Sequence, residues 1–398
     1  MTTRADIDSA SRALDFARTE PLRYQRPELP SLEEVARYYA LAEEARFYSN
    51  GGPCHERLAA RLADHVGGSV ACLPVANCTL GLIVALREAC GEPTAERPLI
   101  AVPSFTFTAS ACAIRWAGCE PLFVDVDERD WQLDPAALEA ALAARRGEVA
   151  GVLACSTFGT APPAGTRERW REACAAHGIP LVIDSAAGFG ALDDDGRPLG
   201  GLGDIEVFSF HATKPFAIGE GGAIFSDDEA LIARLAQATN FGLDPVDRVS
   251  TTAGLNAKMS ELQAATALAM LDRFDDALAR RRATARMLQA RFAEHPLTYQ
   301  GGSAGSTWQV LQLLVPDAAA RRRALAAAAA LGVEVRTCFD PPLHRHPAFA
   351  GCPRAGTLEV TERLAARSLS LPLANTLGER QATRLAELVD ATFGADRC

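Results

Sequence analysis

Lysine is almost missing from this chain. Of its forty Lys and Arg residues only Lys214 and Lys258 are lysine, and arginine supplies the remaining cations. Positive charge is in deficit overall, with a formal net charge of −10. Nucleic acid binding draws its affinity from clustered cations that displace counterions, so this balance argues against a polyanionic partner. The two arginine runs, Arg280–Arg281–Arg282 and Arg321–Arg322–Arg323, fall in alanine-rich stretches of helical pattern. They read as solvated helix faces. Long apolar runs are lacking too: none approaches the ~18 residues that span a bilayer. Residues 1–13 are polar and charged, unlike a signal peptide. A soluble, cytoplasmic protein with no membrane partner is the expectation. Eleven cysteines are present, but no two have the Cys-x-x-Cys spacing of a zinc or redox site. Cys90, Cys112, Cys155 and Cys174 lie in apolar segments, where a thiol behaves as a small hydrophobe. Reduced thiols and no metal are expected.

What is present suffices for a large core. A chain of 398 residues that is 48% hydrophobic suggests two domains. Residues 1–53 read as an N-terminal arm, with a helix over 31–44 and the turn-rich Ser49–Asn50–Gly51–Gly52–Pro53. Between 54 and 257 short apolar runs alternate with helical patterns. Strands are predicted at 99–102, 120–124, 151–154, 181–183, 207–210 and 222–225, with helices at 80–90, 110–117, 135–144 and 166–177. This alternation predicts an α/β domain with a mostly parallel sheet covered on both faces, whose ligands sit at the carboxyl ends of the strands. Residues 258–293 predict one long connecting helix. The remainder, 294–398, reads as a smaller α+β domain with strands at 309–315 and 333–337 and helices at 321–331 and 379–393.

Three segments carry chemistry. In Val75–Ala76–Asn77–Cys78–Thr79 the threonine stands where a helix N-cap would. Capping alone accounts for it, while a helix N-terminus also offers free N–H groups to a phosphate. In Leu181–Val182–Ile183–Asp184 an aspartate ends an apolar strand. A loop cap is the plain reading. A carboxylate at that edge can also hold a pyridine nitrogen protonated, which turns the ring into an electron sink. In Val207–Phe208–Ser209–Phe210–His211–Ala212–Thr213–Lys214 a lysine precedes the glycine-rich Gly219–Glu220–Gly221–Gly222. In a chain that otherwise uses arginine, a retained lysine points to a need for an amine, because only an amine forms an imine.

Together with Asn50–Gly51–Gly52–Pro53, Val102–Pro103–Ser104–Phe105–Thr106–Phe107, Phe123–Val124–Asp125–Val126–Asp127 and Gly254–Leu255–Asn256–Ala257–Lys258–Met259–Ser260–Glu261–Leu262, these segments resemble the DegT–StrS family of pyridoxal-phosphate (PLP) sugar aminotransferases. Pro341–Pro342–Leu343–His344 and Leu369–Ser370–Leu371–Pro372 extend the likeness over nearly the whole chain. The resemblance implies a fold-type I enzyme with PLP as a Schiff base on Lys214 and Asp184 paired with the pyridine nitrogen. It further implies Phe107 stacked on the ring, and Thr79, the Leu80 backbone and Ser209 on the phosphate. Asn256 is then expected to reach the phosphate in a second copy of the chain, making a homodimer with shared sites. Without the resemblance, Phe107 reads equally well as a core aromatic.

The family usually has His or Gln three residues after the aspartate, where this chain has Ala187. That substitution loosens the inference about substrate and leaves the Lys214–Asp184 pair intact. Related dehydratases replace the lysine with histidine, so Lys214 favours transamination. His211 and His346 read as packing residues, and His344 reads equally as a substrate contact or a structural residue. Arg336 could meet an anionic substrate or a surface carboxylate. The expected reaction moves nitrogen from glutamate or glutamine to a nucleotide-linked keto-deoxysugar. A cyclitol or another secondary-metabolite ketone is the enzymatic rival, and a PLP-binding regulatory protein without turnover is the rival of another class.

Overall fold

The computed structural model describes residues 21–393, so the first twenty residues of the expected arm lie outside the described part. A seven-stranded sheet organises the larger part of the molecule. Its strands are β1 (Ala71–Val75), β2 (Leu99–Pro103), β3 (Glu120–Val124), β4 (Val149–Cys155), β5 (Leu181–Asp184), β6 (Ile205–Ser209) and β7 (Gly222–Ser226), in the spatial order β1-β7-β6-β5-β4-β2-β3. The pairings among β6, β5, β4, β2 and β3 are parallel, while β7 runs antiparallel to both β6 and β1. Two reversals leave β1 parallel to β6, which brings its carboxyl end to the same edge as those of β5 and β6. All seven residues of β4 are buried, as expected for a strand covered on both faces.

Helices α1 (Leu32–Ala45), α2 (Pro53–His65), α3 (Cys78–Cys90), α4 (Thr108–Trp116), α5 (Pro135–Ala144), α6 (Ala164–His177) and α7 (Glu229–Ala238) fill the connections. Their starts follow from sequence. Ser31 and Glu34 close a capping box on α1, and Asp134 caps α5 ahead of Pro135. The N-terminus of α2 has no cap of its own; instead the buried Glu261 carboxylate accepts from the amides of Gly52, Cys54 and His55 at 3.1, 2.7 and 3.2 Å. One apolar cluster on each sheet face forms the core: Leu58, Trp170, Ile183 and Phe208 on one side, Leu82, Ile114, Val182 and Val207 on the other.

The predicted helix over 258–293 is two helices, α8 (Glu261–Leu271) and α9 (Phe274–Arg291). Ser260 and Gln263 form a capping box that starts α8, and Arg273, with φ −120° and ψ 0°, breaks the run before α9. Helix α9 then joins two cores, since Phe274 and Leu278 pack under the large sheet while Ala285 and Leu288 pack with the C-terminal part. There β8 (Leu311–Leu314) and β9 (Ser368–Leu371) pair antiparallel, with α10 (Ala318–Ala330), α11 (Glu359–Arg367) and α12 (Glu379–Phe393). The stretch 333–337 is not a strand. It makes only isolated bridges, Val333 to Leu22 and Arg336 to Ser370.

The arginine runs are solvated only in part: Arg280 and Arg322 are exposed, while their neighbours turn inward. Arg281 is buried and donates to the carbonyls of Trp308, Gln309 and Leu373 and to Asn375 Oδ1. Arg282 ties the carbonyls of Gly190, Gly305 and Ser306, and Arg321 donates to Ala365 and pairs with Asp340 at 2.8 Å. The guanidinium fork matches loop carbonyls that have no strand partner, which offsets its burial. The ten described cysteines are free thiols. Among the described residues, no helix is long and apolar enough to cross a membrane.

Candidate active site

The carboxyl edge of the sheet gathers the three sequence segments. Val75 and Ser209 both lie opposite Gly222, and Asp184 lies opposite Val207 one strand over. The chain leaves β1 and enters α3 almost at once. Asn77, not Thr79, caps that helix, its Oδ1 accepting the Leu80 amide at 2.9 Å. Thr79 therefore stands in the first turn with its side chain outside the cap. The Leu80 amide, expected to meet a phosphate, is held by Asn77 in this structure. A Cβ on Gly222 would lie 2.8 Å from the Cys78 amide nitrogen, so glycine is what lets the first turn of α3 sit on the strand.

Asp184 is the last residue of β5 and is buried. Ser110, from α4, donates to its Oδ2 at 2.7 Å, and the Ala186 amide donates to Oδ1 at 3.0 Å. Burial pushes this carboxyl above its usual range, opposed by those two donors and by the charge of Lys214. Lys214 sits in the loop after β6. Backbone bonds from Ala212 to Gly219 and from Ile218 to Phe210 make that loop a hairpin. Its amine donates to Gln309 Oε1 at 3.4 Å. Burial pushes the amine below its usual range, and Cys78, Asp184 and Cys338 pull it back. His211 braces the same turn through Thr213 Oγ1 at 2.8 Å.

Phe107 precedes α4 and is 62% exposed, which removes the core reading and leaves a ring face open at this edge. Ser209 is buried at the end of β6 and accepts the His211 amide at 3.3 Å. Asn256 lies on the exposed surface, with its Oδ1 held by Lys258 at 2.7 Å. His344 is fully engaged elsewhere: it is buried, with Nδ1 2.7 Å from Ser104 Oγ and Nε2 2.7 Å from Glu362. Neither ring nitrogen is free for a substrate, so its structural reading stands. Arg336 is exposed, with its guanidinium over the Tyr24 ring and the Tyr24 hydroxyl 3.8 Å from Cys338 Sγ. His346 bonds the Pro341 carbonyl at 3.0 Å.

Sequence reasoning missed three contributors. Ser110 had a faint signal, a hydroxyl within an apolar helical stretch. Gln309 and the segment Gln25–Arg26–Pro27–Glu28 had none. That segment lines a narrow cleft with Ala212, Thr213, Lys214 and Asn375, brought there from far along the chain.

A strand-end carboxylate, an amine in a hairpin loop, an open aromatic face and a helix start on one edge fit a phosphorylated pyridine aldehyde. The family model for the DegT/DnrJ/EryC1/StrS aminotransferases matches residues 32–390. The chain belongs to this family. Protein MT3510 of Mycobacterium tuberculosis is 35% identical over 367 residues, 92% of this chain and 88% of that protein. L-glutamine:scyllo-inosose aminotransferase of Streptomyces griseus is 32% identical over 319 residues, 74% of this chain and 73% of its own. DesI, solved with its TDP-sugar product, has a TM-score of 0.84 and 33% identity, with 95% of each chain covered. This DegT/DnrJ/EryC1/StrS chain is thus a fold-type I aminotransferase with pyridoxal phosphate as cofactor.

Proposed function

We propose that this aminotransferase moves an amino group from glutamate or glutamine to the keto group of a nucleotide-linked deoxysugar. The observation that carries the catalytic part is the meeting of Lys214 and Asp184 at one sheet edge, each with its charge state opposed by burial. When bound, the cofactor supplies an aldehyde that condenses with amines and a protonated ring that accepts electron density from the carbon losing its proton. Lys214 would carry it covalently and, once released, move the proton at the reacting carbon. An amine held below its usual range spends more of its time neutral, as a base must. Asp184 would hold the ring nitrogen protonated, kept in place by Ser110. Phe107 would stack on the ring, with Thr79, Ser209 and, on release from Asn77, the Leu80 amide on the phosphate.

The substrate part rests on likeness to DesI and on the exposed Arg336, which offers a guanidinium to a diphosphate. A cyclitol ketone is the second reading, favoured by the Streptomyces griseus relative and by Ala187, which leaves the usual His or Gln side chain absent. The reading includes a homodimer in which Asn256 serves the phosphate of a second copy. Exposed Phe47, Tyr48, Phe241, Leu255 and Leu262 around that region are apolar surface a second copy would cover. The division into a cofactor-binding unit at 54–257, a connector at 258–293 and a C-terminal unit at 294–398 goes with it.

Borohydride reduction followed by peptide mapping tests the core of this reading. Label is expected on Lys214 and none in Lys214→Ala; label on Lys258 overturns it. Competition by UDP or dTDP against the acceptor, weakened by salt and by Arg336→Ala, tests the substrate. If neither nucleotide competes at millimolar concentration, the cyclitol reading replaces it. A monomer by sedimentation removes the shared site.

A further inference from the structure

Lys214 Nζ makes one hydrogen bond among the described residues, to Gln309 Oε1 at 3.4 Å. The other end of that amide, Nε2, donates to the Thr213 carbonyl at 3.4 Å. A carbonyl can only accept, so Thr213 fixes which end of the amide faces the lysine: the nitrogen turns to Thr213 and the oxygen to the amine. Both ends of the side chain thus grip one short loop. The backbone beneath is held as firmly. The Gln309 carbonyl accepts from Arg281 Nη2 at 2.6 Å, and the same buried guanidinium holds Trp308 O at 2.6 Å, Leu373 O at 3.0 Å and Asn375 Oδ1 at 2.9 Å. Asn375 in turn donates to Glu28 at 2.9 Å. Gln309 therefore stands on a seat whose donors are matched by fixed acceptors.

We propose that Gln309 is the positioning residue for the Lys214 amine whenever that amine is free of the cofactor. A lysine that alternates between a covalent and a free state has a long flexible stem to control. An amide oxygen aimed at Nζ holds the freed amine near the place it left. It favours the ammonium over the amine, because a charged donor makes the stronger bond. Gln309 acts through Lys214, and its amide is occupied by the loop on both sides. The inference rests on Lys214 being the cofactor lysine.

The test uses the full-length chain loaded with pyridoxamine phosphate, in which Lys214 is free. Amine acylation is followed across pH by quantifying the Lys214 and Lys258 peptides; Lys258 is an internal reference because the chain has no third lysine. In Gln309→Leu the pH midpoint for Lys214 is expected to fall by roughly half to one unit, the scale of one lost hydrogen bond of ordinary strength, as suits a contact of 3.4 Å. In Gln309→Glu a carboxylate replaces the amide oxygen, and the midpoint is expected to rise. The Lys258 midpoint stays in place in both. Opposite shifts distinguish positioning from loosened packing, which moves both variants the same way. Unmoved midpoints, shifts of one sign, or a Lys258 midpoint that moves with them overturn the proposal. Borohydride mapping of the pyridoxal-phosphate form separates the two failures: label on Lys258 sinks the cofactor-lysine reading, whereas label on Lys214 with unmoved midpoints sinks only the role of Gln309.

Discussion

Two buried carboxylates stand on neighbouring strands of the large sheet and differ in almost everything but their burial. Asp184 ends β5, and Glu206 is the second residue of β6. Glu206 lies opposite Ile183 and Asp184 opposite Val207, so side-chain alternation sends them to opposite faces. Each is served by a serine, Ser110 for Asp184 and Ser185 for Glu206. Glu206 also takes the Leu202 amide at 2.9 Å, and burial pushes it up to about 7. Asp184 is pushed up for the same reason. The difference lies in what shares their surroundings. Asp184 has an amine and an open aromatic ring at the strand's carboxyl edge. Glu206 closes the entry to its own strand, and Arg167 is the weakest of the influences that oppose its shift. A raised carboxyl marks a functional site only when its neighbours can use it.

The contrast breaks first at Asp184. Asp184→Asn keeps an acceptor for Ser110 but cannot hold a ring nitrogen protonated. Turnover is expected to fall roughly hundredfold to ten-thousandfold, the range a positioned titratable group contributes. Cofactor binding should persist. Near-normal turnover in a folded variant would place the electrostatic work elsewhere.

Glu206 should leave turnover alone and move stability instead. Its folded value is raised, so its stabilising contribution is complete below the ordinary carboxyl range and lost as pH rises through about 7. In Glu206→Gln the stability lost between acidic and mildly alkaline pH should shrink by on the order of 3 kcal/mol. Urea unfolding on the two sides of that window measures it; an equal loss in both proteins would show that Glu206 is not the titrating group.

The smallest effect is expected at Ser110. Ser110→Ala removes one donor from Asp184 and lets its carboxyl rise further, by about one unit for a bond of ordinary strength. The acid limb of the pH–rate profile should move up accordingly, with a few-fold loss at neutral pH that recovers as pH rises. A loss that is the same at every pH would mean that Ser110 shapes α4 and nothing more.

The Asp184 and Lys214 segments were legible because strand ends in a parallel sheet are the usual place for ligands. Strand β1 was not read from the sequence, and Pro74 within it is the reason. Proline loses a ladder donor and is tolerated where one side of the strand is open, and β1 is the edge strand, paired only with β7. The run at 333–337 alternated like a strand, yet its neighbours on either side are single contacts to Leu22 and Ser370. Asn77 and Thr79 are both good caps, and nothing local says which the helix takes. His344 and Arg281 were beyond local reading altogether. Ser104 lies 240 residues before His344, and the carbonyls around Arg281 come from loops 27 to 92 residues away.

The bridge between Leu22 and Val333, with the Arg23–Glu334 ion pair beside it, joins residues 311 apart. During synthesis the segment that lines the Lys214 cleft leaves the ribosome some 311 residues ahead of the partner it pairs with. At about 5–20 residues per second that delay is on the order of a quarter-minute to a minute. For that time the early chain carries Tyr24, Gln25 and Arg26 with no C-terminal partner to receive them. The cleft beside the lysine therefore closes only after the sheet that bears Asp184 has had the means to form, because that sheet's last strand ends at Ser226 and Val333 follows later in the chain.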